Sequence, residues 1–246
     1  MNNLNKGSRR LNPEFQVKIT GEVLRQWMLL FAASVKDAEV RLTELDSAIG
    51  DGDHGVNMRR GMDAVAEKLD ALALADLSGQ MRIISTTLMS SVGGAAGPLY
   101  GAFFLQCSHA TTHKTELGLS DLTAALEAGV RGVVQLGKAA VGDKTMVDTL
   151  AAAIRSLRSS CNHYEALPDA LKACRKAARL AAEGTIPMVA RKGRASYIGE
   201  RSAGTQDPGA TSSALLFETL SQSVLLTSFK PRPTTDSRLQ ITSILL

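Results

Sequence analysis

Aromatic side chains make up only 4% of the 246 residues, so the chain offers few platforms on which nucleic-acid bases would stack. Cysteine is scarce as well: Cys107, Cys161 and Cys174 are three in number and show no CxxC spacing. An odd, scattered set argues against a disulfide framework and a thiolate zinc site, and it fits a reducing compartment. No apolar run approaches the roughly 18 residues that a membrane span requires, so no membrane association is expected. No basic-then-apolar segment opens the chain, and a cytoplasmic location is expected. Net charge is also missing where it would matter. The formal charge of +4 comes from the two ends, Lys6, Arg9 and Arg10 against Glu14, and Lys230, Arg232 and Arg238 against Asp236. The middle of the chain is balanced, so no nucleic-acid partner is expected.

What is present is an ordinary globular composition, 44% hydrophobic and 21% charged. Residues 1–15 show no periodicity and resemble a vector-derived leader. Residues 227–246 carry Pro231, Pro233 and many Ser and Thr, and read as a disordered or non-native tail. Residues 16–226 are expected to form one domain.

Within that domain the apolar residues recur at helical spacing. Thr20 is expected to cap a first helix carrying Val23, Leu24, Trp27, Leu30, Phe31 and Val35. A second runs through Val40 and Leu42 to about Leu45. A third carries Met58, Met62, Val65 and Leu69, and a fourth Met81, Ile84 and Leu88. Pro98 is expected to open a fifth, Ser120 with Asp121 a sixth, Thr145 a seventh and Pro168 an eighth; a last one follows Pro208. The pattern predicts an all-α domain of eight or nine helices. The Met residues read as core filler.

Four connections are polar and rich in glycine: IGDGDHGVN at 49–57, GGAAGP at 93–98, VGDKT at 141–145 and GRASYIGERSAGTQDPGATS at 193–212. Connections in helical domains are usually short and plain. Four such loops suggest a gathering around one ligand.

The first holds the densest signal. Asp46, Asp51 and Asp53 lie within eight residues, punctuated by Gly50, Gly52 and Gly55. Three carboxylates this close repel one another unless a cation joins them. Hard oxygen ligands without thiolates suit Mg²⁺, Mn²⁺ or Ca²⁺. An EF-hand is excluded, since loops counted from these aspartates end at Asn57, Met62 and Ala64 rather than glutamate. A solvated acidic turn capping the next helix is the plainer alternative. The GGAAGP loop precedes a helix, and backbone N–H groups there attract phosphate. It matches neither a Walker A loop nor a dinucleotide fingerprint, and a tight turn would look the same. Arg191, Lys192, Arg194 and Arg201 suit phosphate oxygens or a solvated basic loop. Gly142 to Thr145 alone suggests only a helix cap. His109 and His113 share helical spacing but have no third ligand, and His163 reads as solvated.

Taken in order, DSAIGDGDHGVNM, SSVGGAAGPLYGAFF, GKAAVGDKTM and ARKGRASYIGERSAGTQDPGATS resemble the nucleotide-binding L subunit of dihydroxyacetone kinases and the C-terminal domain of the single-chain forms. The resemblance covers residues 20–225. It implies a closed barrel of eight antiparallel helices with ADP or ATP and two Mg²⁺ in the loops at one end. Asp46, Asp51 and Asp53 would hold the metals. His54, Gly55, Val56 and Asn57 would line the nucleotide, and Gly93, Gly94, Ala95 and Ala96 would contact phosphate through the backbone. Gly137 and Met146 would border adenine and ribose, while Arg194, Asp207, Pro208 and Gly209 would close the pocket. Many relatives carry Ser or Thr where this chain has Ala95 or Ala96, so a hydroxyl–phosphate bond is expected to be missing.

The resemblance further implies a K subunit that holds the ketose. It also implies an M subunit whose phosphohistidine rephosphorylates ADP; a homodimer stays open. This chain would contribute no nucleophile. Two alternatives remain at this point: an L subunit of a two-chain ATP-dependent kinase for dihydroxyacetone or erythrulose, and a nucleotide-binding regulatory module.

Overall fold

The computed structural model describes residues 17–69 and 75–228. Thr20 accepts a hydrogen bond from the Val23 N–H and starts α1 (Gly21–Asp37), whose buried face is Val23, Leu24, Trp27, Met28, Phe31 and Val35. There follow α2 (Glu39–Ile49), α3 (His54–Ala66), α4 (Leu77–Ser91), α5 (Ala96–Ala110), α6 (Leu119–Gly137), α7 (Met146–Asn162) and α8 (Leu167–Glu183). A three-ten segment, Arg194–Ser202, precedes the last helix, α9 (Pro208–Ser228). The described residues contain no named strand; Ile19 and Leu117 form an isolated antiparallel bridge. The all-α class is as expected.

Several boundaries differ from the sequence reading. The second helix continues to Ile49 and ends at Gly50. Leu69 lies beyond the end of α3. Pro98 is the third residue of α5, not the first; its missing N–H is still one of the donors a first turn leaves without an intrahelical partner. Gly118, not Ser120, caps α6, and Asp121 pairs instead with Lys114, Nζ to Oδ1 at 2.8 Å. Pro168 is the second residue of α8, and α9 runs on through Thr227 and Ser228. The expectations for residues 1–15 and for 229–246 lie outside the described residues.

Neighbour packing closes on itself. Helix α1 packs on α3, α3 on α4, and so on through α9, which returns to α1; α2 lies outside this ring of eight. The connections α2–α3, α4–α5, α6–α7 and α8–α9 all contribute to one cavity, so successive helices of the ring alternately arrive at and leave that end. The seam between α1 and α9 carries a buried hydrogen bond, from the Trp27 indole N–H to the Leu216 carbonyl at 2.8 Å. The ring's interior holds Trp27 and Phe31 of α1 against Phe104 and Tyr100 of α5, with centroids 5.9 and 6.3 Å apart. Each such side chain contributes about 1.5–3 kcal/mol on burial. Four of the chain's few aromatics, Trp27, Phe31, Tyr100 and Phe104, thus meet inside the ring, while Tyr164 and Tyr197 are exposed.

Candidate functional site

The α2–α3 turn is built around Asp46. This residue sits in the last turn of α2, is buried, and its Oδ2 accepts the N–H groups of Asp53 at 2.9 Å and His54 at 3.1 Å. It therefore caps the start of α3, where Asp53, the N-cap residue, makes no side-chain cap of its own. Gly52 takes a φ of 75°, which lets the chain turn back so tightly. Asp46, Asp51 and Asp53 each bring an oxygen within 4.8 Å of the others. Three hard carboxylate oxygens so close fit a divalent cation.

The α4–α5 turn faces this cluster. Gly94 has a φ of 64°, and Ala95 at the N-cap supplies no side-chain acceptor to the first turn of α5. N–H donors at a helix start flanked by small side chains can bind a phosphate group. Gly93 lies against the Asn57 amide, which in turn accepts from Arg60 at 2.7 Å.

At the α6–α7 turn, Thr145 and Asp148 form a reciprocal capping box. Asp148 also accepts the Gly142 N–H. The long α8–α9 connection brings Arg194 to Asp51, Nε to Oδ2 at 3.0 Å. Asp207 caps α9 by accepting the Ala210 N–H at 2.7 Å. Burial pushes its carboxyl up to about 7, against the opposing pull of the Ala210 N–H and Lys144.

Below the turns runs a buried polar chain that the sequence reading did not single out. His54 Nε2 is 3.0 Å from Ser212 Oγ, and the Tyr100 hydroxyl is 2.9 Å from Ser212 Oγ and 3.2 Å from Ser213 Oγ. It links α3, α5 and α9. Burial lowers the His54 imidazole from its usual range despite Asp46 and Asp53, so the neutral ring prevails near pH 7. Burial also pushes the Tyr100 phenol up to about 12.

All four turns open onto one cavity of about 370 Å³. Asp46, Asp51, Asp53, His54, Asn57, Gly93, Gly94, Ala95, Ala96, Gly137, Met146, Arg194, Asp207, Pro208 and Gly209 line it. Gly55 and Val56 do not. Gly55 is pressed against Glu39 and Thr43 of α2, and Val56 points to solvent. Part of the lining is apolar: Ile49, Leu99, Val133, Leu136 and Ala139. These were missed because they look like ordinary helix core. The carboxylate cluster fits a metal-bound polyphosphate, and the apolar lining fits a flat base. Among the described residues no helix is long and apolar enough to cross a membrane.

Comparison with known proteins agrees with this geometry. The model of the DAK2 domain matches residues 48–222. The chain is 49% identical over 179 residues to the PEP-dependent dihydroxyacetone kinase, ADP-binding subunit DhaL, of Escherichia coli; the match covers 73% of this chain and 85% of that one. It is 40% identical to the PTS-dependent dihydroxyacetone kinase, ADP-binding subunit DhaL, of Lactococcus lactis, over 82% of this chain and 97% of the relative. The crystal structure of the dihydroxyacetone kinase from C. freundii in complex with AMP-PNP and Mg²⁺ superposes with a TM-score of 0.67 at 27% identity. That match covers 91% of this chain but only 37% of the larger kinase chain. From the helical ring, the four convergent turns and these matches together, the chain belongs to the DAK2 domain family.

Proposed function

We propose that this chain is the nucleotide-holding subunit of a multi-subunit dihydroxyacetone kinase. The observation that carries the reading is one cavity lined by three clustered carboxylates, a helix start and a set of apolar side chains. When bound, ADP with two Mg²⁺ would relay a phosphoryl group from a phosphohistidine M subunit to dihydroxyacetone on a K subunit. Asp46, Asp51 and Asp53 would hold the metals. Backbone N–H groups around Gly93 to Ala96 would hold phosphate oxygens, as helix starts do. His54 and Asn57 would border the nucleotide on the α3 side. Gly137 and Met146 would meet its base and ribose. Arg194 and Asp207 to Gly209 would close the pocket and exclude water. The chain's contribution is positioning and charge neutralisation, with no nucleophile of its own. A cytoplasmic setting suits the three free thiols.

The relatives named as PEP- and PTS-dependent ADP-binding subunits support this form over a two-chain ATP-dependent ketose kinase. The test is mass spectrometry of nucleotide released on denaturation after long dialysis with Mg²⁺. Near-stoichiometric ADP is expected. A chain that exchanges ATP freely would move the reading to the ATP-dependent form. A chain that binds neither nucleotide would overturn it. Phosphorylation of dihydroxyacetone on mixing with a K subunit, an M subunit and a phosphoenolpyruvate-driven donor system separates transfer from a purely regulatory role.

A further inference from the structure

Lys144 is fully buried, with 0% of its surface exposed, and takes a left-handed φ of 61°. Its ammonium has three N–H donors, and each meets a carbonyl: Thr185 at 2.8 Å, Thr205 at 2.6 Å and Ile186 at 3.4 Å. These carbonyls stand at the two ends of the excursion that leaves α8 and returns to α9. The same two ends are joined by a bond from the Gly204 N–H to the Ile186 carbonyl at 2.8 Å. Residues 185–206 thus form a loop with a narrow neck, and one side chain from the α6–α7 turn holds both sides of it. The lysine stands one residue before the Thr145–Asp148 capping box.

The head of this loop reaches the cavity. Lys192, Gly193, Arg194 and Ala195 line it, while Ala190, Ala195 and Ile198 pack on Ile49 of α2. Ser202 stiffens the head: it accepts the Ala190 N–H at 2.8 Å and donates to the Gly199 carbonyl at 2.6 Å. Burial lowers the Lys144 ammonium from its ordinary range, and the nearby Asp207 opposes that shift. A buried cation without a carboxylate in direct contact is costly to keep. Here its whole bonding capacity is spent on the neck of one loop.

We propose that Lys144 is a positioning residue that clamps the neck of a lid, residues 185–206, and so sets how long the chain keeps its nucleotide. This rests on the nucleotide-holding role above. A clamped neck keeps Arg194 and its neighbours over the cavity. Release of ligand then requires the lid to open, so the clamp acts on dissociation more than on association.

The test uses the full chain with Mg²⁺ and a fluorescent ADP analogue, chased with unlabelled ADP in a stopped-flow instrument. Lys144→Met is expected to raise the release rate by about tenfold or more while association changes by less than about threefold. Ser202→Ala, which loosens only the head, is expected to raise release by a smaller factor. Hydrogen exchange on the ligand-free chain gives a second readout. Lys144→Met should speed exchange of amides in 186–204 and leave α4 to α6 as in the wild type. A folded Lys144→Met with wild-type release and wild-type exchange overturns the proposal. Loss of the helical signal in Lys144→Met also overturns it, since the lysine would then hold the fold and not the lid. A wild-type chain that binds no nucleotide overturns the nucleotide-holding role itself, and hydrogen exchange alone then decides the clamp.

Discussion

Arg194 of the three-ten segment and Asp51 of the α2–α3 turn form an ion pair, Nε to Oδ2 at 3.0 Å, that joins the long α8–α9 connection to the acidic cluster. The side chains are 64% and 34% exposed, so solvent screens the pair and it contributes less than about 1 kcal/mol to stability. Its value is positional. Arg194→Ala is expected to leave the melting temperature of the ligand-free chain almost unchanged and to weaken Mg–ADP binding about tenfold, as a lost charge-assisted contact does. Calorimetric titration and thermal unfolding of the same sample separate these effects. A large drop in melting temperature with unaltered affinity would make the pair structural.

The three aspartates are expected to behave differently from one another. Asp51→Ala should abolish Mg²⁺-dependent nucleotide binding and leave the helical content intact, as read by circular dichroism. Asp46→Ala should lose binding too, and should also cost about 1–2 kcal/mol of stability, because two N–H groups at the start of α3 lose their acceptor. Equal stability of the two variants in urea would show that Asp46 does not act as the cap.

Asp207 predicts a pH signature. Its carboxyl is raised from 3.8 to about 7 in the fold, chiefly by burial. The folded state therefore binds a proton that the unfolded state has already released between about pH 4 and pH 7. Stability contributed at this position is present at the acid end of that window and is lost as pH rises through about 7. Asp207→Asn removes the titration while keeping an oxygen for the Ala210 N–H. The difference in unfolding free energy, wild type minus variant, is expected to fall from pH 4 to pH 7 and then level off. A flat difference across that range would refute the raised carboxyl.

Gly97 tests the α4–α5 turn. A Cβ placed there would meet the Val92 carbonyl oxygen, a backbone atom that cannot swing aside. Gly97→Ala is expected to cost about 1–3 kcal/mol through overpacking and to displace the α4–α5 turn. Nucleotide affinity should fall with it. Unchanged unfolding in guanidinium would mean that the turn yields freely.

Much of the architecture could be read from residue patterns, and the exceptions are instructive. Helix starts were legible where a side chain does the capping, as at Thr20 and Thr145. They were misplaced where the backbone alone begins the helix, at Ala96 and Leu119, because nothing in the side chains marks the position. Gly55 and Val56 were assigned to the nucleotide by their place in a motif. In the structure the helix turn directs Gly55 into α2 and Val56 to solvent, while His54 and Asn57 face the cavity. Tyr100, Ser212 and Ser213 carried no local signal, since one polar residue on an apolar face resembles any other.

The sequence by itself determined the helical class and the chemistry of the turns. Apolar spacing sets which face of each helix is buried, and the crowding of aspartate and glycine marks a turn as either a cation loop or an acidic helix cap. The tertiary structure alone decided that the four turns meet at one end, and that Lys144 grips carbonyls 41, 42 and 61 residues away. The reason is physical: periodicity reports the direction a side chain takes from its own helix axis, but the partner it meets depends on how the ring closes.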